Sequence, residues 1–312
     1  MINTLVFVGN GFDVAHGYKT RYKDFYSSCD ELNKLANNDN LLCQHILDHI
    51  KGEMWQDLEC GLFEYSKMLT AQHNEGDKVS SERFKKEFQE LRNALFYYIK
   101  NATNVSISNN NPGRQVALLS KEWMRLNYRM VSFNYSAIVA SYTTDSESNS
   151  SGLSFNPNKL IYQHGSIYNF ESVLDNAADK IVLGIDDRQR VEKAHSFLYK
   201  STQNIYNVYD LLKTIEDNVV YIVYGCSMGD SDAFYFRNLF DENKKDRTFI
   251  IYGYGKDGVY SIKERVFEYA GGLNDYVEKT NNEMFFIDCK AWDALSETQT
   301  AIDKAIKKNG NH

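Results

Sequence analysis

Thr4-Leu5-Val6-Phe7-Val8-Gly9-Asn10-Gly11-Phe12-Asp13, followed by His16-Gly17, is the stretch that decides the fold. Its apolar half is rich in β-branched and aromatic side chains and reads as a buried strand. A glycine pair directly after a strand makes the turn into a helix and can leave backbone N–H groups open for a phosphate. The pattern lacks the third glycine of the dinucleotide fingerprint, and the Lys and Ser/Thr of a P-loop. Two readings therefore stand at this point: a phosphate-binding turn, and a tight strand-to-helix turn of any α/β protein.

Outward from that stretch, seven short runs read as buried strands, at about 4–9, 129–134, 159–163, 180–185, 219–225, 248–253 and 284–287. Helical patterns separate several of them, at 203–216, 231–244, 256–269 and 291–307. Alternation of this kind predicts an α/β fold, a Rossmann-like and mostly parallel sheet with helices on both faces. Residues 20–125 differ: apolar positions such as Leu58, Leu62, Tyr65 and Leu69 recur at helical spacing, with no convincing strand. They predict an inserted helical subdomain, with 1–19 and 126–312 forming the nucleotide-binding core. The polar stretches 101–113 and 143–158 read as loops.

The composition limits the function classes. A net charge of -7 does not favour wholesale binding to nucleic acid or an anionic membrane. Five scattered cysteines, Cys29, Cys43, Cys60, Cys226 and Cys289, form no C-x-x-C pair and argue against a disulfide framework or structural zinc. No apolar run reaches the 18 residues of a membrane span, and no early run has the length of a signal sequence core. The expectation is a soluble cytoplasmic protein without a membrane partner.

Polar clusters close several predicted strands: Ser132–Ser136, Gln163–Ser166, Gly184–Asp187 and Tyr224–Asp232. Parallel α/β sheets bind ligands at the carboxyl ends of their strands, so these loops converge with Gly9–Asp13 on one edge. Each member also has a plainer reading. Asn134 can cap a following helix, His164 can be a turn histidine, and Asp186 and Asp187 can pair with Arg188 and Arg190. His16 reads as a local cap or packing residue. His45 and His49 are spaced i, i+4, a metal-compatible spacing, but no third ligand is evident and no metal is expected.

The segment Leu5–Phe25, L-V-F-V-G-N-G-F-D-V-A-H-G-Y-K-T-R-Y-K-D-F, resembles the opening signature of the AbiH family, bacterial proteins associated with abortive infection against bacteriophage. Trp55–Glu59, Phe133-Asn134-Tyr135, His164-Gly165 and Gly184-Ile185-Asp186 also look like that family, so the resemblance spans roughly residues 1–235. More distantly, the order G-x-G, then Asn, then H-G, then G-x-S is similar to sirtuin-like NAD-consuming domains. That likeness implies NAD as substrate or ligand. It makes Gly9, Asn10, Gly11, Phe12 and Asp13 the candidate binding loop, with Gly17 further along it and Gly225 and Ser227 in a late nucleotide-contacting loop. It makes Asn134 the ribose-facing residue and His164 the catalytic histidine. The sequence departs from the pattern at Asp13, where a serine is usual, and at Ser136, where an aspartate is usual. It also has no zinc-binding cysteine module, which speaks against protein deacylation.

These resemblances imply an antiphage protein that binds NAD or a related nucleotide and hydrolyses its nicotinamide–ribose bond. An oligomeric switch, with the chain as a homo-oligomer, or a phage-derived trigger would keep it silent. The alternatives are a non-enzymatic nucleotide-sensing or partner-binding module and a metal-dependent nuclease built on Asp186, Asp187, Asp230 and Asp232.

Overall fold

The computed structural model describes residues 3–50, 58–72, 78–104, 113–143, 159–167, 180–203, 219–229 and 232–310. The chain divides into two compact units: Met1–Gly17, Ile107–Gln163 and Tyr206–His312 make the first, and Tyr18–Ser106 with His164–Ile205 make the second. Along the chain, β1 (Asn3–Val8) and α1 (Asn10–Ala15) open the first unit. The second unit then supplies α2 (Tyr22–Ser28), α3 (Asp30–Asn37), α4 (Leu41–Ile50), α5 (Leu58–Gln72) and α6 (Lys78–Thr103). The first resumes with α7 (Arg114–Trp123), β2 (Tyr128–Ser132) and β3 (Leu160–Tyr162). After α8 (Lys200–Gln203) in the second unit come β4 (Val219–Tyr224), α9 (Ala233–Leu239) and β5 (Thr248–Gly253) of the first. It ends with α10 (Gly255–Ala270), α11 (Leu273–Thr280), β6 (Glu283–Asp288) and α12 (Ala294–Gly310).

The first unit is a six-stranded sheet in the order β3-β2-β1-β4-β5-β6, and every ladder is parallel. Alternate side chains of each strand enter opposite cores. Val6 and Val8 of β1, Val220 and Ile222 of β4 and Ile250 of β5 pack with Phe12 of α1, Trp123 of α7 and Ile302 of α12. Leu5 and Phe7, Tyr221 and Val223, and Phe249 and Ile251 pack on the other face with Phe236 of α9, Val266 of α10 and Tyr276 of α11. Burial on both faces is why these strands read as continuous apolar runs rather than alternating ones. This is the Rossmann-like α/β arrangement expected from the sequence. Strand order reverses between β1 and β4, and doubly wound sheets bind ligands outside the carboxyl ends at such a reversal.

The run at 180–185 is not a sheet strand. Among the described residues it makes two isolated bridges, Gly165 with Ile181 and Ile185 with Tyr199. Its apolar side chains Ile181, Leu183 and Ile185 are fully buried all the same. The Arg92 guanidinium donates to the Ile181 carbonyl at 2.6 Å, in place of a neighbouring strand's N–H. The helix expected at 203–216 falls, apart from its first residue, outside the described residues. The helix expected at 231–244 is confined to Ala233–Leu239.

The second unit is helical around a buried aromatic set. Tyr65 of α5 and Phe84 of α6 meet edge to face at 5.0 Å, and Phe84 meets Phe197 the same way at 5.2 Å. The Lys200 ammonium and the Glu59 carboxylate pair at 2.8 Å with both side chains only 5% exposed. Two charges that deeply placed persist because each answers the other.

Candidate functional site

The first unit gathers its polar residues where the loops after β1, β2 and β4 meet. Gly9 ends the strand in an extended conformation and starts α1. A Cβ on Gly9 would stand 2.6 Å from the Gly225 carbonyl oxygen, and one on Gly11 2.6 Å from the Gly225 Cα. Gly225 itself has φ +67°, and a Cβ there would lie 2.5 Å from the Phe12 nitrogen. The three glycines let the β1 and β4 loops touch backbone to backbone, which no larger residue permits.

That contact takes up the N–H groups expected to face a phosphate. Gly9 N–H donates to the Tyr224 carbonyl at 3.0 Å, Gly11 N–H to the Gly225 carbonyl at 2.9 Å, and Phe12 N–H to the Gly9 carbonyl at 2.8 Å. The glycine pair is thus a strand-to-helix turn locked onto its neighbour, and these three donors serve the fold. Gly17 closes α1 with φ +83° and donates its N–H to the Val14 carbonyl. Asn10 is the first residue of α1 and half-buried, whereas Ser227 is exposed two residues beyond Gly225.

Asp13, on α1 and 1% exposed, is the hub of the site. Its Oδ1 accepts from Asn134 Nδ2 at 2.9 Å and from Ser136 Oγ at 2.7 Å. Asn134 Nδ2 also donates to the Gly9 carbonyl at 2.9 Å, tying the β2 loop to the β1 loop. Asn134 caps no helix: the next helical turn, Ile138–Tyr142, has Ala137 at its N-cap and no side-chain cap bond. The two departures from the sirtuin-like pattern, Asp13 and Ser136, therefore touch one another. The Asn134 side chain is 4% exposed, and its Oδ1 has no hydrogen-bond partner among the described residues. Buried acceptors ordinarily take up a donor.

His16 packs locally, as expected, at the C-cap of α1. Its Nδ1–H donates to the Phe12 carbonyl at 2.7 Å, which leaves Nε2 to accept the Tyr142 hydroxyl at 2.6 Å. Burial lowers the His16 pKa and raises that of Tyr142, so both stay neutral. Tyr142 was not legible as its partner, since 126 residues separate them. At the end of β3, Gln163 Nε2 donates to the Tyr235 hydroxyl at 2.7 Å.

His164 begins the second segment of the second unit and is 5% exposed. Its carbonyl accepts the Val182 N–H at 2.7 Å, and Gly165 next to it has φ +76° with the Lys180 carbonyl against its Cα. Asp186 is held by Arg188, whose Nε lies 2.7 Å from Oδ1, and Asp187 accepts the Ser201 hydroxyl at 2.8 Å. Asp232 is the N-cap residue of α9, and Asp230 lies outside the described residues. The structure therefore brings Gly9, Gly11, Phe12, Asp13, Asn134 and Gly225 together in the first unit. Of the acids of the nuclease reading, Asp186 and Asp187 are engaged in ordinary pairing and Asp232 stands at a helix start.

No helix among the described residues is long and apolar enough to cross a membrane. No curated protein matches the chain. The family model described as bacteriophage abortive infection AbiH matches residues 5–254, which takes in the β1 turn, Asp13, Asn134, His164 and the β4 loop. With most of its 312 residues inside that match, the chain belongs to the AbiH family, whose role is abortive infection against bacteriophage.

Proposed function

We propose that this AbiH protein acts in phage defence by binding a ribose-bearing nucleotide, NAD foremost, outside the carboxyl ends of β1, β2 and β4, and hydrolysing its nicotinamide–ribose bond. The observation that carries the reading is the Asn134 amide. Asp13 and the Gly9 carbonyl fix its Nδ2, which holds Oδ1 in one orientation as a buried acceptor without a partner. A ribose hydroxyl, or the attacking water, supplies the missing donor. The position outside the strand-order reversal supports the same ligand class.

In the reaction the C–N bond between ribose and nicotinamide breaks, and its electron pair leaves with nicotinamide. Water adds to the ribose carbon, and one proton is released; His164, the histidine that the sirtuin-like resemblance offers, is the proposed acceptor. Asp13 is a positioning residue that acts through Asn134. The diphosphate is not assigned to the N–H groups of Gly9, Gly11 or Phe12, which are already bonded within the fold. That inward bonding also favours a second reading, a nucleotide-sensing or partner-binding module without turnover.

The test is NAD content in purified protein reactions and in expressing cells after phage challenge, for wild type, N134A and H164A, with thermal melts to confirm folding. NAD loss confined to the intact protein supports hydrolysis. Retained NAD with phage protection preserved overturns it and leaves the sensing module.

A further inference from the structure

A second cluster of ligand-type side chains lies in the helical unit. His45 and His49 stand one turn apart on α4, and Glu64 on α5 is the third group that the histidine spacing did not reveal. One ligand atom from each lies within 4.8 Å of the others. Bonds of about 2.0–2.2 Å would put tetrahedral donors roughly 3.4 Å apart, so modest side-chain rotation closes the set on an ion.

Three further observations point to a cation. His49 Nδ1–H donates to the His45 carbonyl at 2.8 Å, which fixes the tautomer and leaves the ring lone pair on Nε2. Backbone anchoring of the other ring nitrogen is how metal-binding histidines are held. The His45 Nε2 is buried and has no hydrogen-bond partner among the described residues. The two imidazole rings lie 3.9 Å apart, and the His45 ring is backed by Tyr65 at 5.2 Å.

We propose that His45, His49 and Glu64 form a binding site for a divalent transition-metal ion of the zinc type. Two imidazole nitrogens and one carboxylate oxygen come from the protein, and the remaining coordination falls to water. Imidazole and carboxylate donors suit zinc, and nickel or copper can substitute at such a set. The ion would join α4 to α5 within the second unit.

The experiment titrates the full chain with Zn²⁺ by calorimetry and with Co²⁺ by visible absorption, for wild type, H49Q, H45Q, E64Q and C60S. The C60S variant removes the exposed thiol on the same helix as Glu64. One ion per chain is expected, with affinity lowered about tenfold or more in H49Q and H45Q, less in E64Q, and unchanged in C60S. His49 is exposed, so H49Q tests the site without disturbing packing, and circular dichroism confirms its fold. Dissociation constants weaker than about 100 μM in wild type, binding unchanged by H49Q, or binding lost only in C60S would each overturn the proposal.

Discussion

Replacing Asp13 tests whether the buried hub holds the β1 and β2 loops together. Asp13→Ala removes the acceptor for both Asn134 Nδ2 and Ser136 Oγ. Hydrogen bonds to a carboxylate contribute about 1.5–3 kcal/mol each, and Asn134 Nδ2 retains its bond to the Gly9 carbonyl, so the loss is about 3–5 kcal/mol. At about 2 °C per kcal/mol for a chain of this size, the melting temperature falls by about 6–10 °C. Asp13→Asn keeps an oxygen for both donors and costs about 1 kcal/mol, the difference between a charged and a neutral acceptor. Urea unfolding followed by tryptophan emission reads the effect, because Trp123 is buried in the same apolar cluster as Val8 and Phe12. Ser136→Ala completes a cycle in which the double variant is less destabilised than the sum by about 1–2 kcal/mol. An Asp13→Ala variant within about 0.5 kcal/mol of wild type, or additivity of the pair within about 0.3 kcal/mol, would refute the reasoning.

Two other outcomes are expected. Gly225→Ala destabilises by more than about 3 kcal/mol because both its φ of +67° and the Phe12 nitrogen oppose a Cβ, whereas Gly271→Ala, with φ +68° and open space, costs only about 1 kcal/mol; equal urea midpoints would contradict the loop-to-loop packing. Burial holds the pKa of His16 below the ordinary histidine value of about 6.5, so the unfolded chain binds a proton that the folded one refuses. Stability is therefore full above about pH 6.5 and is lost as pH falls from there through the lowered value, and His16→Gln flattens that slope in urea midpoints taken from pH 7 to 5.

The strands of the sheet were legible because a parallel sheet covered on both faces demands uninterrupted apolar runs, as in Val219–Tyr224 and Phe249–Tyr252. The same demand misled at 180–185, where Ile181, Leu183 and Ile185 are equally buried but Arg92 and isolated bridges satisfy the backbone. Composition reports burial and says little about which group answers each carbonyl. Strand order was likewise hidden, since an apolar run carries no record of its neighbours; the 3-2-1-4-5-6 arrangement had to come from the ladders.

The site was legible to the same depth. Glycines at 9, 11 and 225 announced tight backbone, but sequence does not say whether a ligand or another loop fills the space they leave. Here Gly225 meets Gly9 and Gly11, and the amide hydrogens go with it. Asp13 and Ser136 looked like two separate departures from a pattern, 123 residues apart. Their hydrogen bond makes them one feature: the carboxylate comes from α1 and the hydroxyl from the β2 loop, the reverse of the sirtuin-like assignment of those residue types. An acid on either element can fix the Asn134 amide, because the requirement is an acceptor at Nδ2 and not a particular place in the chain. The aspartate missing at position 136 is therefore no argument, by itself, that the asparagine has lost its anchor.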